Sequence, residues 1–150
     1  MLSVYDMKNR VDEILQQKSI RITPMRQLVL RHFLQEEAVF GLTELEEALP
    51  KSDRITLFRT LKTFEEKGII HSIPNGTTEV KYALCKEHCG PDQHLDMHPH
   101  FHCLNCGLVE CLESVGIPSL LMPKGYRGLE YNLMIKGVCS QCNENACVRA

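Results

Sequence analysis

Hydrophobic residues recur at helical steps through the first part of the chain. Along residues 4–17, Val4, Met7, Val11, Ile14 and Leu15 fall three or four apart, the spacing of one helix stripe. After a polar connector at 18–22, Thr23-Pro24 opens a second helix. The hydroxyl can cap free N–H groups, and proline's missing N–H costs nothing at the first helical position. The stripe of this helix is Met25, Leu28, Val29 and Phe33, and it fades near Glu36. Thr43-x-x-Glu46 predicts a capping box and a third helix that reaches Leu49 before Pro50. Asp53 is placed to cap a fourth, which should end at Lys67-Gly68. There the pattern turns to strands: residues 69–73, a turn at Pro74-Asn75-Gly76, and residues 80–84 predict a hairpin. Helices followed by a two-stranded hairpin predict a winged helix-turn-helix, with residues 43–49 and 53–67 as the pair that docks on DNA.

Composition changes near residue 84. All eight cysteines and five of the seven histidines lie at or after residue 85. This shift sets the expected division: a winged-helix DNA-binding domain at 1–84, a hinge loop at 85–97, and a metal-binding domain at 98–150. In the last, strands are expected at 101–104, 108–112 and 129–138. Gly116, Pro118, Pro123 and Gly125 leave room for only a short helix between Leu112 and Tyr126. The fold class is therefore α+β.

Charge refines the picture locally. The net charge is -2, which gives no global signal for nucleic acid. Residues 8–31, however, carry six Lys/Arg against two acids, and residues 51–62 carry four against one. A nucleic-acid binder needs a basic patch, not a basic protein. In the fourth helix Leu57, Leu61 and Phe64 share one side, while Thr56, Arg59 and Thr63 share the other. Short hydroxyls and one arginine on an uncrowded face suit insertion into a major groove. The competing reading is an ordinary solvated helix face. No stretch has the roughly 18 apolar residues of a membrane span, and Asp6, Lys8 and Arg10 interrupt any signal-peptide core. Cysteine-rich chains without a secretion signal belong to a reducing compartment, where thiols bind metal. A cytoplasmic protein is expected.

The cysteines supply the clearest chemistry. Cys103-x-x-Cys106-Gly107 and Cys139-x-x-Cys142 are two turns with 32 residues between Cys106 and Cys139. Each turn can aim two thiolates at one ion, and two such turns predict a closed, structural four-thiolate zinc site. Immediately upstream, His98, His100 and His102 alternate along an expected strand, so three imidazoles share one face. Histidines in that relation can share an ion.

Taken together, Thr23-Pro24-Met25-Arg26, Thr56-Leu57-Phe58-Arg59-Thr60-Leu61, Gly68-Ile69-Ile70, His98-x-His100, Cys103-x-x-Cys106-Gly107 and Gly137-Val138-Cys139-x-x-Cys142 resemble the ferric-uptake-regulator superfamily in order and spacing, from about residue 4 to 142. The resemblance implies homodimeric, metal-sensing transcription factors: a winged helix, then a small α/β dimerisation domain with a structural ion in the paired CxxC turns. It also implies a second, regulatory ion near the hinge that switches DNA binding on. Arg59 matches an arginine that approaches the operator. Phe58 stands where most members have a tyrosine, and Arg21 lies near a residue that reaches a minor groove.

His98 and His100 match regulatory ligands. The carboxylates of iron and peroxide sensors are replaced: position 83 is Ala, and Cys111 takes an acidic place. Cys85 and His71 instead resemble ligands of zinc-sensing members. A set drawn from His71, Cys85, His98, His100 and Cys111 favours Zn²⁺ over the harder ions Fe²⁺ and Mn²⁺. Cys111 and His71 equally suit a buried strand cysteine and a surface histidine. A further metal position of the family is expected to be missing, because Tyr131 and Pro99 replace its ligands. The His/Cys-rich loop at 85–94 is expected to be mobile, and Cys147 to lie in a frayed tail.

These readings converge on a zinc-responsive transcriptional repressor that binds double-stranded operator DNA as a homodimer, with one structural and one regulatory Zn²⁺. It should have no membrane and no small-molecule substrate as partner. The alternative within the class is an iron- or peroxide-responsive regulator. A zinc-dependent hydrolase would need an open zinc position and a carboxylate base, and no His-Glu-x-x-His motif is present. A thiol oxidoreductase would use one CxxC pair without holding an ion.

Overall fold

The computed structural model describes residues 4–85, 98–129 and 131–144. The chain divides into two compact units, Met1–Leu95 and Asp96–Ala150.

The first unit contains four helices: α1 (Val4–Gln17), α2 (Pro24–Glu36), α3 (Leu42–Ala48) and α4 (Arg54–Glu66). With them runs a three-stranded sheet of β1 (Phe40–Gly41), β2 (Ile70–Ile73) and β3 (Lys81–Leu84), in the order β1-β3-β2. The expected caps form. Thr23 Oγ1 accepts from Arg26 N at 3.3 Å. Asp53 accepts from the backbone N–H of Thr56 at 2.8 Å and of Ile55 at 3.4 Å. These caps satisfy donors that the first helical turn cannot. Gly68, at φ 67°, takes the left-handed position that ends α4 with little strain.

Two expectations in this unit are corrected. Thr43 does not cap α3. The helix begins at Leu42 with Gly41 as N-cap, and Glu44 accepts from Gly41 N at 2.7 Å. The cause is β1, which the sequence pattern missed: Phe40 and Gly41 pair with Tyr82 and Lys81, so the chain enters the helix directly from a strand. Leu28 is 38% exposed, and Leu30 takes the core position in its place. Val11, Leu15, Val29, Phe33, Leu45, Leu57, Leu61, Phe64, Ile70 and Tyr82 close one core from all four helices and the hairpin. That core holds α3 and α4 together as a helix-turn-helix with β2 and β3 as its wing.

The second unit is built on β4 (His100–Cys103), β5 (Val109–Cys111) and β6 (Met134–Gly137), in the order β5-β4-β6. β4 pairs antiparallel with β5 and parallel with β6. A single turn, α5 (Ser140–Asn143), follows. The predicted strand at 129–138 is shorter, and His98 lies before the strand, not in it. No helix occurs among the described residues between Leu112 and Tyr126; prolines and glycines keep that connection irregular.

Candidate metal centres and nucleic-acid interface

Strand pairing assembles the four-cysteine cluster. β4 ends at Cys103, beside Gly137 at the end of β6. Cys139 follows two residues later and caps α5, which brings Cys142 round on one helical turn. On the other side, Gly107 at φ 79° reverses the chain after Cys106, and its N–H donates to Cys103 O at 2.9 Å. A Cβ at Gly137 would lie 3.3 Å from the Phe101 ring that packs against the cluster, so the strand pair is already close there. The ligand atoms of Cys103, Cys106, Cys139 and Cys142 all lie within 4.8 Å of one another. A tetrahedral ion with bonds of about 2.3 Å separates its sulfurs by about 3.8 Å. Cys106 Sγ and Cys139 Sγ are 3.8 Å apart, so the donors fit such an ion.

The backbone also prepares Cys103 for metal. Hydrogen bonds from the N–H groups of Cys106 and Cys139, with a lesser one from Asn105, hold its thiol down to about 6 against the opposing effect of burial. The bond from Cys139 N is 3.3 Å long. A thiolate stabilised before metal arrives is the form that binds it.

Nitrogen and sulfur donors gather at one further place in each unit. In the second unit, His100 on β4 stands directly opposite Cys111 on β5. His98, two residues earlier, puts its ring centroid 4.8 Å from that of His100. The ligand atoms of His98, His100 and Cys111 lie within 4.8 Å of one another. Both histidines are buried, and Cys111 is half-buried. Glu110, between strand neighbours of the opposite face, is exposed, so the grouping contains imidazole and thiol but no carboxylate. In the first unit, Cys85 N donates to Ile69 O at 2.8 Å, which continues the hairpin ladder one step past β3. This places Cys85 Sγ 3.6 Å from His71 Nδ1.

On α4, Leu57, Thr60, Leu61 and Phe64 are buried, and Ile55, Thr56, Phe58 and Arg59 are exposed. Phe58 is 45% exposed, with Lys62 Nζ 5.9 Å from its ring centroid. Both helix-face hydroxyls donate within this segment. Thr56 Oγ1 donates to Asp53, and Thr63 Oγ1 donates to Arg59 O at 3.0 Å. Arg54 is paired with Glu46 of α3. Arg21 is exposed, and its carbonyl accepts from Arg26 Nη1 at 2.8 Å.

The family model described as "Ferric uptake regulator family" matches residues 17–121. This chain belongs to the ferric uptake regulator family. It is thus a metal-responsive transcriptional regulator, not an enzyme. It is 33% identical over 143 residues to the zinc uptake regulation protein of Escherichia coli (strain K12), covering 90% of this chain and 80% of that protein. To the ferric uptake regulation protein of Bacillus subtilis (strain 168) it is 26% identical over 149 residues, covering 91% and 97%. In fold it is similar to a zinc uptake regulator complexed with zinc and DNA. The TM-score is 0.63 at 22% identity, over 98% of this chain and all of that one.

Of the residues expected at the family's regulatory site, His98, His100 and Cys111 are neighbours in one unit, and His71 and Cys85 are neighbours in the other. His102 is not part of either group: its Nδ1 is buried with no partner among the described residues. The loop beyond Cys85 and the tail with Cys147 lie outside the described residues. Ile55, absent from the residues expected on this face, is 62% exposed. Counting round the helix would have found it, since position 55 is half a turn from Leu57 and Phe64 and in line with Arg59 and Lys62.

Proposed function

We propose that this regulator is a zinc-responsive repressor, one that binds operator DNA as a homodimer when a regulatory Zn²⁺ is present. The observation that carries the reading is the donor chemistry: His98, His100 and Cys111 on one side, His71 and Cys85 on the other, imidazole and thiolate throughout. Such donors favour Zn²⁺ over ions that prefer oxygen, and Zn²⁺ also stands above Fe²⁺ and Mn²⁺ in the general affinity order. The four-thiolate site holds a second, structural Zn²⁺ that is not exchanged during sensing.

In this reading the ion acts by population shift. It binds the DNA-competent arrangement in preference, and a change from about 1:99 to 99:1 needs a differential of roughly 5.5 kcal/mol. Dimerisation sets two α4 helices at the half-site spacing that a two-fold operator requires. Leu121, Tyr126 and Leu129, at 97%, 70% and 84% exposed, support an apolar surface of the second unit that a partner copy covers.

Cys85→Ala tests the regulatory site. The variant is expected to keep the structural ion and lose or weaken the second, with a matching fall in zinc-dependent DNA affinity. Wild-type zinc-dependent binding by Cys85→Ala would remove Cys85 from the site.

A further inference from the structure

We propose that Ile55 is a specificity-determining residue that reads the 5-methyl groups of thymines in the operator. This rests on the reading of α4 as the helix that enters a major groove. Three observations lead to it. Ile55 is 62% exposed, a large apolar side chain held in water. It sits in the first turn of α4, one residue after Arg54, and the N-terminal residues of a recognition helix are the ones that meet base edges. At 100° per residue it also lies at the centre of the exposed face, flanked by Phe58 on one side and Arg59 on the other.

Three of the neighbouring polar groups are already engaged within the protein. Thr56 Oγ1 is engaged by Asp53, and Arg54 is paired with Glu46. Lys62 Nζ is bonded to Glu65 Oε2 at 2.8 Å. The centre of the face is therefore apolar, set in a segment with Lys51, Arg54, Arg59 and Lys62 against Asp53. That charge suits phosphates on either side, while the isoleucine needs an apolar group on the base edges. In the major groove only thymine presents one, its C5-methyl. Phe58 can meet an adjacent methyl with the exposed part of its ring.

The test uses the full-length, zinc-loaded protein and duplexes that it selects from a random pool. Each thymine of a selected duplex is replaced in turn by uracil, which removes only the methyl group. The expected result is a loss of about fourfold at one thymine or more in each half-site, the worth of one buried methyl. At one thymine or more in each half-site the loss should vanish in Ile55→Ala and persist in Ile55→Val, with unchanged melting temperatures for an exposed site, while a loss at a thymine that Phe58 meets remains. If the uracil losses are the same in Ile55→Ala as in the wild type, or if no thymine methyl matters, the proposal is wrong while DNA binding stands. If no duplex is selected at all, the DNA-binding reading itself fails and takes this proposal with it.

Discussion

His100 and Cys111 face each other across the antiparallel β4–β5 pair, one imidazole and one thiol at the same rung. Directly opposed residues bring their Cβ atoms to about 5 Å, so the sheet register, not a loop, sets this donor pair. Carboxylate at that rung would change the metal. Cys111→Asp is expected to weaken Zn²⁺ at the regulatory site by at least about tenfold, and to raise the relative response to Mn²⁺ and Fe²⁺. Metal-competition titrations followed by DNA binding would read this. An unchanged metal order would show that the thiol at 111 does not select.

The four-cysteine cluster should be structural. Its neighbours are short strands and irregular connections with little apolar burial, so the ion is expected to supply much of the stability of the second unit. Cys103→Ser should lower zinc content by one ion per chain and abolish cooperative melting of that unit. Full zinc content with an unchanged melting curve would contradict it.

The pH dependence follows from the depressed thiol. Cys103 sits at about 6 when folded against an ordinary value of 9.0. The stabilisation of its thiolate is complete above the ordinary value and is lost as pH falls through about 6. Retention of the structural ion against a chelator should therefore hold on acidification to near pH 6 and fail below it. Release that already begins near pH 8 would contradict the hydrogen-bonded thiolate.

Arg59→Ala should weaken operator binding by roughly 1–3 kcal/mol, about fivefold to 150-fold, with metal content and melting unchanged. The arginine is exposed on α4, away from the core formed by Leu57, Leu61 and Phe64. An unchanged gel-shift titration at fixed salt would assign the residue to an ordinary solvated face.

Much of this architecture was legible in the sequence where one residue type does one job. Pro24, Asp53 and Gly68 marked helix ends, and the CxxC spacing marked the thiolate cluster. Hidden features depended on pairing across distance. β1 is only two residues long, and nothing in Phe40-Gly41 alone announces that it will bond to Tyr82 and Lys81. Its formation moved the start of α3 and displaced the capping role of Thr43. The rung shared by His100 and Cys111 is likewise a register fact, invisible until β4 and β5 pair. The hydroxyl protons of Thr56 and Thr63 go to Asp53 and Arg59, which leaves these hydroxyls only as acceptors, a competition that composition does not reveal.

Zn²⁺ is the signal in the function proposed above. The most direct test is the affinity of the wild-type protein, with its structural site filled, for a selected operator duplex at buffered free Zn²⁺, Fe²⁺ and Mn²⁺. Binding is expected to switch on at a far lower free concentration of Zn²⁺ than of either other ion. Activation by Fe²⁺ or Mn²⁺ at a lower free concentration than Zn²⁺ would contradict the account.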